Sequence, residues 1–183
     1  MLQSLNFERS LQWHIFWNCV GFVGAFMVNS FVEFFAHKYI LHSDRIFKFA
    51  HKLHHIGHHG ISRGDETYHA LSEEAKGHVK FVARDYVFFL LATTPLWVLA
   101  ELSIGRPVVL GGILSTLAGL HFFNVVHWNY HVPADTWLQR TRLFKAAKAH
   151  HRAHHHDTSK NLNVSTIPIA DIVMRSFVKG KYE

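Results

Sequence analysis

Cysteine is nearly missing from this sequence: Cys19 is the only one among 183 residues. That excludes a disulfide framework and a cysteine-based zinc site. Charge is also scarce, at 17% of residues against roughly 25% in an average soluble domain. A disordered chain would show the opposite bias, with much charge and few aromatics. Here aromatics reach 14% and apolar residues 49%. A length of 183 residues fits about one domain.

The missing charge is concentrated in three runs. The first, from Ile15 to Phe35, has no charged residue before Glu33. Its roughly 21 residues make a helix of about 32 Å, enough for a hydrocarbon core of about 30 Å. The second runs from Tyr86 to Ala100 and on through Leu102 to Ile104, broken only by Glu101. The third runs from Val108 to Val126, with His121 its one ionisable residue. Gly105-Arg106-Pro107 reads as a tight turn, so the last two runs form a helical hairpin. Gly111, Ser115 and Gly119 make a small-residue stripe of the kind that lets membrane helices approach closely. The first run is too long for a secretory signal and lacks a small-residue cleavage pattern.

These features predict an all-α integral membrane protein, a single domain over 1–183, with spans near 14–36, 85–104 and 108–127. The formal charge is +6, from 19 Lys and Arg against 13 Asp and Glu. Of those 19 basic residues, Arg9 and Arg106 lie on the side of the N-terminus and hairpin turn; the other 17 lie in 38–84 and 127–183. The positive-inside rule puts a cap of 37–84 and 128–183, with the C-terminus, in the cytosol. The basic excess then faces anionic headgroups rather than nucleic acid. Trp137-Leu138 and Leu143-Phe144, interleaved with Arg140, Arg142, Lys145 and Lys148, suit a helix lying on a membrane. Residues 57–67 read as loop, and Ser72 to Arg84 as a polar lead-in to the second span.

Histidine is abundant, at 18 residues. Four groups have ligand spacing: His37-Lys-Tyr-Ile-Leu-His42, His51-Lys-Leu-His54-His55, His127-Trp-Asn-Tyr-His131 and His151-Arg-Ala-His154-His155. Residues three or four apart share a helix face, so HxxxH offers two imidazoles to one centre and HxxHH offers three. The five-residue step from His37 to His42 separates those two on a straight α-helix. Either His42 lies beyond the helix end, or the pair serves different metals. His55-Ile-Gly-His58-His59 is also HxxHH, but Gly57 weakens a continuous helix there. His51, His54 and His55 are therefore preferred, leaving His58 and His59 to the loop or to support. His150 and His156 flank the last box, and His69 is a further candidate. His14 and His78 stand alone and read as surface or satisfied core residues. Neutral imidazole suits iron, zinc, copper and nickel.

In this order the boxes resemble those of the fatty acid hydroxylase and sterol desaturase superfamily of membrane di-iron oxygenases. The resemblance runs from about Glu33 to Phe177. Asn161-Leu-Asn-Val-Ser-Thr-Ile-Pro-Ile-Ala-Asp171 is similar to the segment that follows the last box in many members. Asn124-Val-Val-His127-Trp-Asn-Tyr-His131 resembles the Asp-x-x-His-x-x-x-His of lipid 2-hydroxylases, with Asn124 in the place of Asp. His37-Lys-Tyr-Ile-Leu-His42 also resembles the carotene hydroxylases. The resemblance implies two iron ions held by His37, His42, His51, His54, His55, His127, His131, His151, His154 and His155, with zinc able to replace them in a recombinant sample. It implies O2, an external electron donor such as cytochrome b5 or a ferredoxin, and a lipid substrate (fatty acyl, sphingolipid, sterol or carotenoid) entering from the bilayer.

Hydroxylation is the reaction expected; desaturation and a non-catalytic metal-binding scaffold are the alternatives. Glu33 and Asn124, each about one turn before a ligand, are expected to orient it. Trp128 and Tyr130 are candidates to line the substrate channel, and His121 to bridge helices or meet substrate. The ending Lys179-Gly-Lys181-Tyr-Glu183 resembles a dilysine endoplasmic-reticulum retrieval signal; a bacterial inner membrane is the other setting.

Overall fold

The computed structural model describes residues 2–164 and 167–180, with side chains from residue 8 onward. Every regular element among them is helical. The chain divides into two compact units, Met1–Asn29 with Phe81–His121, and Ser30–Lys80 with Phe122–Glu183.

The first unit is built from three long helices: α1 (Leu2–Ala36) up to Asn29, α5 (Ala83–Ile104) and α6 (Val109–His131) up to His121. All three are long and apolar enough to cross a membrane. Large apolar side chains stand exposed along them, Val23 at 65%, Leu91 at 72% and Leu102 at 74%, a surface that water solvates poorly. The expected hairpin turn is present. Gly105 ends α5 at φ 62°, the left-handed conformation that costs glycine nothing. Glu101, the one charge in the second run, caps α6: its Oε2 accepts from the Val108 and Val109 amides at 2.8 and 3.0 Å. Two donors of the first turn are thereby satisfied.

The small-residue stripe is used at one end only. The Gly111 amide donates to Asn18 Oδ1 at 2.8 Å, and a Cβ on Gly111 would lie 1.9 Å from the Asn18 carbonyl oxygen. Ser115 is buried, whereas Gly119 faces open space.

The second unit carries the histidines. α1 ends in a π-helical turn, His37–Leu41. α2 (Lys48–His51) runs into a π-helix, Lys52–His58, and then into α3 (His59–Ile61). Part of the segment expected as loop is therefore helical. α4 (Glu73–Gly77) starts at Ser72, whose hydroxyl accepts from the Ala75 amide. After α6 come α7 (Trp137–Arg140), α8 (Arg142–His156) and α9 (Ile169–Val173). Thr141 caps α8 by accepting from the Phe144 amide at 3.2 Å. Phe144, expected at a membrane surface, turns inward onto Tyr68, Val126 and Tyr130. Trp137 and Leu143 remain exposed.

The segment after α8 is tied down by two buried polar residues. Asn161, at φ 50°, donates to the His150 and Val178 carbonyls and accepts from the Val178 amide. Asp171 accepts from the Leu162 and Asn163 amides, both at 2.8 Å, and from Ser176 Oγ at 2.6 Å. Phe34, Leu162 and Ala170 pack together beneath it. Of the retrieval-like ending, Lys181, Tyr182 and Glu183 lie outside the described residues.

Candidate metal centre

α8 presents His150, His151, His154 and His155 on one buried face, as the spacing of three and four requires. The last turns of α6 present His127 and His131 in the same way. The two π-helical stretches change the register of the rest. In a π-turn the amide bonds the carbonyl five residues back, so residues four and five apart come together. His42 N donates to the His37 carbonyl at 2.9 Å, which brings their rings to 4.9 Å. The five-residue step that an α-helix would splay is thereby closed. The amide of His59 likewise donates to the His54 carbonyl.

Ten histidines converge in two groups of five. One holds His37, His42, His54, His59 and His154; the other holds His58, His127, His131, His151 and His155. Within each group one nitrogen per ring lies within 4.8 Å of all the others. Eight of the ten expected ligands are among them. His51 and His55 are not, and His58 and His59 stand in their place. The reason is the π-register from Lys52 to His58, which turns His54, His58 and His59 inward. Gly57 serves that register rather than breaking it: a Cβ there would meet the His78 ring at 2.8 Å. His55 lies behind His42, and His51 stacks on His55 at 5.0 Å. His150 bonds Asp171, His156 is exposed beside Gly64, and His69 sits against Tyr68.

The nitrogens are spaced as ligands are. His37 Nε2 is 2.9 Å from His54 Nε2, which is 3.2 Å from His59 Nε2. His42 Nε2 is 3.1 Å from His154 Nε2. In the second group His151 Nε2 lies 2.9 Å from His131 Nε2 and 3.1 Å from His155 Nε2. Donors about 2.0–2.1 Å from one ion and at right angles to each other stand about 3.0 Å apart.

Five of the ten opposite nitrogens are already committed. Nδ1 of His37, His127, His131 and His154 donates to the carbonyls of Leu162 (2.8 Å), Val79 (3.1 Å), Tyr68 (2.8 Å) and Lys160 (2.7 Å), and that of His155 to Ser62. These bonds fix the tautomer and leave the Nε2 lone pair facing inward, as in known metal-bound imidazoles. Among the described residues, five buried ring nitrogens of these ten have no partner: both of His58, Nδ1 of His59 and of His151, and Nε2 of His127. Each such atom costs about 1–3 kcal/mol if left bare, so the donor set fits a metal better than an empty core.

The electrostatics agree. Burial, and then the neighbouring rings, push His54, His58, His59, His151, His154 and His155 well below the usual imidazole range, and His42 down to about 2. All seven are neutral at pH 7, the form that binds metal. Among the described residues no carboxylate belongs to either group.

Glu33 accepts from Val164 N at 3.0 Å and from Asn163 Nδ2. It therefore reaches the segment whose Leu162 carbonyl holds His37. Asn124 lies half-buried one turn before His127 on α6. Trp128 packs on Ala70, Ala75 and Val79, and Tyr130 stacks on His151 at 5.1 Å. His121 is exposed on α6. Two phenols that the spacing of histidines does not signal, Tyr68 and the channel candidate Tyr130, bury hydroxyls without partners beside the second group. The chain matches no protein-family profile, no curated protein and no solved structure.

Proposed function

We propose that the chain is a membrane di-iron oxygenase that hydroxylates a C–H bond of a lipid, of the fatty acid hydroxylase and sterol desaturase type. The observation that carries this reading is the pair of adjacent five-histidine groups. His37, His42, His54, His59 and His154 would hold one iron, and His58, His127, His131, His151 and His155 the other. Bound there, the irons would supply O2 activation with two electrons from a separate donor such as cytochrome b5 or a ferredoxin.

The protein's part is position and exclusion. Five backbone carbonyls hold Nδ1 protons in place, so the ligand nitrogens cannot turn away. Burial of nearly all ten rings keeps bulk water from the centre. Tyr68 and Tyr130 bring two phenol donors to its edge, where a polar group of the substrate would find partners. The three long apolar helices suit a protein whose substrate, an acyl or isoprenoid chain, resides in the bilayer. The basic residues of 38–84 and 127–183 support a cytosolic side for this unit, with an endoplasmic-reticulum or bacterial inner membrane as the proposed setting.

The test is a comparison of lipid extracts by mass spectrometry from iron-supplied cells expressing the chain or its His154→Ala variant. A lipid species one oxygen heavier, present only with the unmutated chain, is the expected result. A species lacking two hydrogens instead would make it a desaturase. Identical lipids, with iron bound in the unmutated protein and a donor supplied, would leave a metal-stabilised scaffold and overturn the enzyme reading.

A further inference from the structure

The two histidine groups are not held alike. In the second group all five rings are buried, and the three with a bonded Nδ1 (His127, His131 and His155) rest on backbone carbonyls. In the first group His37 and His154 also rest on carbonyls. His42 does not: its Nδ1 lies 2.8 Å from Nδ1 of His55. Among the described residues it is the one ring of the ten whose Nδ1 leans on another side chain. His42 and His54 are also the two members of the ten that are only half-buried. His55 is half-buried in turn, and His51, half-buried as well, stacks on it.

With His42 Nε2 as a ligand, the proton between the two Nδ1 atoms belongs to His42. His42 Nε2 faces its group, 3.1 Å from His154 Nε2. Its Nδ1 therefore carries the proton and donates it, and His55 Nδ1 accepts. A carbonyl in a folded segment cannot swing aside without moving the chain. An imidazole at the protein surface can, by rotating about its own side-chain bonds. When His55 turns away, His42 loses the bond that orients it, and this half-buried ligand is free to leave.

We infer that His55 is a positioning residue for the first metal position, and that the His42–His55 edge is where this metal exchanges with solvent, so that the two positions differ in kinetic stability. This rests on the reading that both groups bind metal. Outer partners of metal-bound histidines typically affect metal affinity by about 10–100-fold. Here the whole of that effect falls on one position of two.

The test uses the whole 183-residue chain in detergent, loaded with zinc, and follows release to a chromophoric chelator. Two phases of equal amplitude are expected, one zinc each. His55→Ala should speed the fast phase by about 10–100-fold and leave the slow one unchanged. His55→Asn, whose amide oxygen can accept from His42 Nδ1, should fall between the two and serves if the alanine variant does not fold. Equal release rates in wild type and both variants would overturn the inference, as would acceleration of both phases alike. A wild-type chain that takes up no zinc or iron would overturn the metal reading itself, which is a separate and recognisable result.

Discussion

Lowering the pH through 6.5 is expected to strip the metal and open the histidine-bearing unit in one steep transition. The sign follows from burial. His42, His54, His58, His59, His151, His154 and His155 all have folded pKa values depressed below 6.5. Above pH 6.5 they are neutral whether the chain is folded or unfolded, so they take nothing from stability. Below 6.5 the unfolded chain binds protons that the folded one refuses. Each such ring then lowers stability by about 1.4 kcal/mol per pH unit, until its folded pKa is reached. For His42 that lies at about 2, so the window is wide, and several rings act in it together. Protons also compete directly with metal for Nε2. Metal retention and tryptophan fluorescence, followed from pH 8 to pH 4, should fall together with the uptake of several protons. A gradual change with the slope of a single proton would contradict the buried, neutral state of these rings.

The second large effect is expected at a residue that touches no metal position. Asp171 is fully buried. Burial raises its carboxyl, but bonds from His150, Ser176 and the Asn163 and Leu162 amides outweigh that and hold it below the usual carboxylate range. Asp171→Ala leaves those donors bare, at about 1–3 kcal/mol each before any relaxation. A drop in stability of about 3–5 kcal/mol is expected, the range seen when one member of a buried charged network is removed. The loss should also be local in its chemistry. Asp171 fixes Leu162, whose carbonyl holds His37. The carbonyls of Tyr68, Val79 and Ser62, which support the second group, belong to other segments. Metal affinity at the first position should therefore fall about 10–100-fold, with the second retained. Thermal unfolding and metal titration of the variant measure both. Unchanged unfolding would show that the tail is held by apolar packing alone.

Much of this site is legible in the sequence, and the illegible parts share a cause. His127 with His131, and His151 with His154 and His155, lie on ordinary α-helix, so spacing alone brings each set to one helix face. The second box was ambiguous because HxxHH can be read twice across His51 to His59. An α-helical rule with Gly57 as a breaker selects His51, His54 and His55. The chain instead forms a π-helix, which no residue pattern announces, and Gly57 makes room for His78. The same departure closes the step from His37 to His42. The carbonyls that hold the rings could not be read either, since every residue has one. Glu33 was legible as a polar residue at a helix end, but its partners, Asn163 and Val164, are about 130 positions away. The three helices long and apolar enough to cross a membrane are plain in the sequence, because each is a run of about twenty mostly apolar residues. Glu101, seen in the sequence as an interruption, became the cap of the next helix.

The most direct measurement is the metal content of the purified chain, with iron and zinc counted per protein for the wild type and two alanine variants. Two metals are expected for the wild type and two for His51→Ala, which removes an expected ligand outside both groups. About one is expected for His59→Ala, which removes a ring inside the first. Two metals in His59→Ala and fewer in His51→Ala would contradict the ligand set, and a wild-type chain without bound metal would contradict the centre altogether.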